Sequence, residues 1–169
     1  MELGSDVDMG LLRDALFGDS GHERSFGIHG IEGVGKTQLA LKAVDTLCHQ
    51  FSHVFWIPAE TELKLADSFR QIAVFLNLID DSETDKTKSC RAVKHWLQEN
   101  SQWLLVFDSS NANILRQYFP SLIQGSVITT SRSPAPAKGG VVSGAEILTF
   151  TCFDYELSFA TCWSISIKA

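Results

Sequence analysis

The chain has 169 residues, 14 Lys+Arg against 20 Asp+Glu for a formal net charge of −6, and 44% hydrophobic residues including 11 Phe and 4 Trp. That is the size of one domain, able to bury a core and too apolar for a disordered tail. The acid excess, with basic residues scattered along the chain, excludes broad non-specific attraction to nucleic acid or anionic lipid.

The four cysteines, Cys48, Cys90, Cys152 and Cys162, have neither CxxC spacing nor a companion His cluster, and read as reduced thiols. Met1 to Arg24 carries acids and glycines where a secretory leader would carry basic and apolar regions. The most hydrophobic stretch, Leu148 to Ile167, is interrupted by Asp154 and Glu156, short of the uninterrupted run of about 18 residues that a membrane helix needs. The expectation is a cytoplasmic protein with neither a nucleic acid nor a membrane as partner.

In chain order, Leu11, Leu12, Ala15 and Leu16 recur at helical spacing within Val7 to Phe17, a short helix ended by Gly18 that is expected to cover a sheet edge. Ser25 to His29 reads as a strand running into a glycine-rich turn. From Thr37 to about His49, Ala40, Ala43, Val44 and Leu47 mark a helix, and Val54-Phe55-Trp56-Ile57 a strand stopped by Pro58. Leu63, Ala66, Phe69, Ile72, Ala73 and Leu76 predict one face of a second helix. After the polar linker Asp80 to Lys88, the residues Ala92, Val93, Trp96 and Leu97 predict a third. Trp103-Leu104-Leu105-Val106-Phe107 has no polar alternation and is too short for a helix, so it reads as a buried central strand ending at Asp108. A short helix from about Asn111 to Phe119 is closed by Pro120. Ser126 to Thr130 is a further strand, before the Pro/Gly-rich loop Ser133 to Gly144.

Strands alternating with helices specify an α/β fold, a parallel sheet of about five strands with helices on both faces. The chain divides into an N-terminal segment (1–24), a central α/β domain (25–150) and a tail (151–169) with no assigned structure. Ligands in such sheets sit at the carboxyl ends of the strands, so the residues after Ile28, Phe107 and Thr130 are where chemistry is expected.

After the first strand comes Gly30-Ile31-Glu32-Gly33-Val34-Gly35-Lys36-Thr37, a full match to GxxxxGK[ST] between a strand and a helix. Its glycines allow consecutive N–H groups to turn inward around phosphate oxygens at the positive end of the next helix. Lys36 supplies a compact positive charge for the β- and γ-phosphates, and Thr37 a hydroxyl for Mg²⁺. Asp108 stands where a carboxylate would hold the same ion. Ser109 and Ser110 follow where a second acid would activate water, and neither hydroxyl is a competent base near neutral pH, so fast hydrolysis is not expected. Arg132, closing the strand Ser126 to Thr130, has two readings: a sensor that reaches a γ-phosphate, or a solvated arginine before Pro134.

These residues resemble the NB-ARC nucleotide-binding domains of STAND NTPases, which include NOD-like receptors and their fungal relatives. The likeness covers about Arg24 to Arg132. It rests on Phe26-Gly27-Ile28-His29-Gly30, Gly33-Val34-Gly35-Lys36-Thr37-Gln38-Leu39-Ala40, Val54-Phe55-Trp56-Ile57, Leu104-Leu105-Val106-Phe107-Asp108, and Gly125-Ser126 leading to Thr130-Ser131-Arg132. The resemblance implies a three-layer P-loop NTPase fold and a site at Gly30 to Gln38 for ADP or ATP with Mg²⁺. It also implies a switch in which ADP holds a resting state, exchange to ATP permits oligomerisation and slow hydrolysis resets it.

The chain departs from that pattern. The segments bearing GxP and MHD-type motifs do not follow, so it reads as truncated after the nucleotide-binding core. Glu32 stands where the family often has glycine. Its side chain is expected in solvent, although a carboxylate there would repel ATP relative to ADP. Three functions are therefore open: a regulatory adenine nucleotide module with little turnover; an active P-loop ATP hydrolase; and an interaction protein that self-associates or docks onto a longer NOD-like relative through Phe150, Phe153, Tyr155, Phe159 and Trp163.

Overall fold

The computed structural model describes residues 10, 12–14, 16–17, 25–33, 35–120, 124–132 and 146–149, with residue 112 and residues 146–149 described as backbone. The run Trp103 to Phe107 is fully buried in strand β3 (Trp103–Asp108). A strand apolar on every residue needs cover on both faces, which only the middle of a layered sheet supplies. β3 lies between β2 (His53–Pro58) and β4 (Ser126–Ser131). β1 (Ser25–His29) and β5 (Glu146–Thr149) complete an all-parallel sheet in the order β2-β3-β4-β1-β5.

Successive residues point to opposite faces, so β3 contributes to two cores. Trp103, Leu105 and Phe107 join Phe55, Ile57 and Val127 under α2 (Glu62–Phe75) and α3 (Lys86–Glu99). Leu104 and Val106 join Phe26, Ile28 and Ile128 under α1 (Lys36–Leu47), which buries Ala40, Ala43, Val44 and Leu47. The α/β class, the parallel sheet and the helices on both faces are therefore as the sequence predicts.

Several details differ. The fifth strand is Glu146–Thr149, between the expected loop and the expected tail. β2 continues through Pro58, tolerated because β2 is an edge strand and need not donate on its outer side. On α2 the buried face is Leu65, Ala66, Phe69, Ile72 and Ala73, while Leu63, expected inside, is 63% exposed; Leu65 takes the inward place one turn before Phe69. The helix expected over Asn111 to Phe119 is reduced to α4 (Ala112–Leu115), followed by turns that place Leu115 and Tyr118 in the core. The N-terminal residues 10, 12–14, 16 and 17 are helical, and Leu12 and Leu16 are buried with the α1 core. This segment thus covers a face of the sheet rather than an edge, pinned where Ser126 Oγ donates to the Leu16 carbonyl at 3.2 Å. Leu11, Ala15, Gly18, the loop Ser133 to Gly144 and the tail with its aromatics lie outside the described residues. Among the described residues no helix is long and apolar enough to cross a membrane.

Candidate functional site

The five described strands all run the same way, so their carboxyl ends share one edge, and sheet order decides which residues meet there. β4 separates β1 from β3. Its register pairs His29 with Ser131 and Phe107 with Thr129, which sets Thr130 beside Asp108 and Arg132 beside the start of the glycine loop.

The loop leaves β1 at Gly30, whose N–H donates to Ser131 O at 3.3 Å. Gly33 and Gly35 have φ of 79° and 92°, in the left-handed region that side-chain-bearing residues resist. Gly35 is also the N-cap of α1, a cap with no side-chain hydrogen bond and no acid in the first helical turn. The other long helices are closed. Thr61 Oγ1 accepts from Lys64 N on α2, and Asp85 Oδ1 accepts from Thr87 N and Lys88 N on α3. The unsatisfied donors and the positive dipole end of α1 therefore face the loop, a ready environment for an anion. Val34 lies outside the described residues.

Lys36 arches back over this loop, its Nζ donating to Gly30 O at 2.9 Å and Ile31 O at 2.7 Å. Burial chiefly, then the nearby Arg132 charge, lowers its pKa below the usual lysine value, against the opposing pull of Glu32 and Asp108. One turn into the site, Thr37 Oγ1 donates to Asp108 Oδ1 at 2.9 Å across 71 residues of sequence. The same oxygen accepts from Thr130 Oγ1 at 2.6 Å.

Thr130 is the residue that sequence reasoning missed. Only 1% exposed, it fills the gap between β1 and β3, accepts from Ser109 N at 2.8 Å and holds the carboxylate toward Thr37. The available signal was a hydroxyl near the carboxyl end of β4, but four of the six residues of that strand carry one, so residue type alone did not single it out. Ser109 adopts φ 57°, unusual for a side-chain-bearing residue, as the chain turns off β3. Ser110 directs both its N–H and its Oγ to Thr130 O, at 2.7 and 2.8 Å. The Gln38 amide oxygen is buried without a partner, and Ile31 is 68% exposed at the loop.

The paired oxygens of Thr37 and Asp108 are a hard donor set of the type Mg²⁺ takes, with one carboxylate and remaining positions for water and phosphate. Among the described residues no group of three His, Cys, Asp or Glu side chains comes together for a softer metal. A groove of about 910 Å³ opens elsewhere, beside α2 and α3, lined by Glu62, Ala66, Lys86, Cys90, Arg91 and Tyr118 among others. Burial pushes the Cys90 thiol and the Tyr118 phenol up in pKa there, and no residue of the glycine loop lines it.

The family model described as the NB-ARC domain matches residues 6–168, nearly the whole chain. This chain belongs to the NB-ARC family. The NB-ARC match extends on both sides of the Arg24 to Arg132 stretch that carries the recognisable motifs. Comparison with curated proteins finds no match. Among solved structures, Cdc6p from Pyrobaculum aerophilum is similar, with a TM-score of 0.63 at 14% identity over 87% of this chain. That match spans 45% of the Cdc6p chain, and at such identity it speaks to the fold alone. As an NB-ARC domain the chain is a nucleotide-binding P-loop NTPase module.

Proposed function

We propose that this NB-ARC domain is the adenine nucleotide switch of a STAND-type, NOD-like signalling protein, holding ADP or ATP with Mg²⁺ and turning ATP over slowly or not at all. The observation that carries the reading is the meeting of Lys36, Thr37 and Asp108 at the uncapped N-terminus of α1. In this reading Gly30, Ile31, Glu32, Gly33, Val34, Gly35 and Gln38 surround the phosphates, with backbone N–H groups as the donors. Lys36 neutralises their charge. Thr37 and Asp108 hold the Mg²⁺, which would supply charge neutralisation at the phosphates. Arg132 meets the terminal phosphate. The choice of adenine rests on the family likeness.

Slow turnover follows from what stands beside Asp108. Ser110 Oγ is committed as a donor to Thr130 O, and Ser109 is a hydroxyl, so neither position supplies a base to activate water. The proposed partners are copies of the same domain or a longer relative. A reducing, cytoplasmic setting accords with the free thiols Cys48 and Cys90.

The test is equilibrium titration of the purified chain with ADP and ATP, each with and without Mg²⁺, beside Lys36→Ala. Micromolar or tighter binding, weakened at least tenfold in the variant (~1.4 kcal/mol), is expected. A folded wild-type chain that binds neither nucleotide would falsify the reading.

A further inference from the structure

Glu32, within the glycine loop, finds its partner a hundred residues away. Arg132 Nη2 lies 3.3 Å from Glu32 Oε2. The register explains the meeting, because Ser131 pairs with His29 and accepts from Gly30 N, so Arg132 leaves β4 beside the residue from which the loop departs. Packing does not impose the contact, since the two side chains are 76% and 78% exposed. Charge brings them together at the mouth of the phosphate loop, where Lys36 feels both. An exposed pair of this kind is weak, screened by salt and readily exchanged for another partner.

We propose that Glu32 discriminates between nucleotide states, by occupying Arg132 and setting a negative charge at the loop mouth so that a nucleoside triphosphate binds less well, relative to the diphosphate, than the loop would otherwise allow. The inference rests on the phosphate-loop reading above. The third phosphate of a triphosphate, on pairing with Arg132, competes with the Glu32 carboxylate for that side chain. The displaced carboxylate, two residues into the same loop, then remains nearby as a like charge. A diphosphate lacks the third phosphate that would compete for Arg132, so it leaves the Glu32–Arg132 pair in place.

The experiment measures Kd for ADP and for ATP with Mg²⁺ in the wild type, Glu32→Gln, Arg132→Gln, the double variant and Lys36→Ala, at low and at physiological salt. Both substituted side chains are exposed, so the variants should fold, as circular dichroism will show. Glu32→Gln is expected to tighten ATP about threefold to fivefold while ADP changes less than about twofold. The gain should shrink at higher salt and in the Arg132→Gln background. If Lys36→Ala abolishes binding but Glu32→Gln moves both nucleotides alike, or neither, the discriminator is wrong and the nucleotide site stands. An undiminished gain without Arg132 overturns the competition for that side chain. Binding of both nucleotides that survives Lys36→Ala overturns the site reading and the inference with it.

Discussion

Gly125 stands at the head of β4, and a Cβ built there would lie 2.3 Å from Trp103 Cδ2, 2.4 Å from Trp103 O and 2.5 Å from Trp103 Cε3. Carbon atoms in contact sit about 3.5–4.0 Å apart, so Gly125→Ala requires the indole or the two backbones to retreat by roughly 1 Å. The indole has nowhere to go. Trp103 is fully buried, and its Nε1–H donates at 3.0 Å to both Leu97 O and Asn100 O. Overpacking of this kind costs about 1–3 kcal/mol, and a buried N–H pulled from its acceptors adds about 1–3 kcal/mol when left unpaired. With partial relaxation the expected loss is about 2–4 kcal/mol, or a fall in Tm of about 5–15 °C for a chain of this length. Urea denaturation followed by far-ultraviolet circular dichroism measures it. Gly27→Ala is the control, because its Cβ would meet only Thr129 Oγ1 at an ordinary 3.6 Å, and it should stay within about 1 kcal/mol of wild type. A Gly125→Ala protein that unfolds within about 1 kcal/mol of wild type would refute the argument from contact geometry.

Thr130→Val should cost about 1–3 kcal/mol by stranding Ser109 N–H, and should also reduce the gain in nucleotide affinity on adding Mg²⁺, since Asp108 loses one of two hydroxyl donors. Thr130→Ser should restore both, and an unchanged Mg²⁺ response in the valine variant would deny Thr130 its positioning role. His29, at the end of β1, has its pKa lowered from 6.5 by burial. The unfolded chain then takes up the proton first, so stability is fully present above pH 6.5 and is lost as pH falls toward the folded-state value. His29→Gln should flatten that acid limb in pH-dependent urea melts, and an identical slope would show that His29 does not contribute.

The strand–loop–helix around Gly30 to Thr37 was legible because its constraints are local: fixed glycine positions, a β-branched entry strand and a helical apolar period after it. The burial of Trp103 to Phe107 was legible too, since five apolar residues in a row leave no face for water. Leu63 was misplaced because it is apolar and three positions before Ala66, while Leu65, two residues on, sits over the sheet. The helix after Asn111 was overdrawn because local propensity cannot see that Leu115 and Tyr118 are drawn into the core by the sheet beneath them.

Read alone, the sequence determined the fold class, the glycine-rich loop between β1 and α1 and the identity of the acid at the end of β3, because each depends on residue type and on spacing within a few turns of chain. What meets what was decided only by tertiary structure. Placing β4 between β1 and β3 joins Thr37 to Asp108 across 71 residues, seats Thr130 on the same carboxylate oxygen and delivers Arg132 to Glu32. Those contacts depend on strand order and register, which are set by the packing of two separate cores on opposite faces of the sheet, and no short-range pattern encodes them.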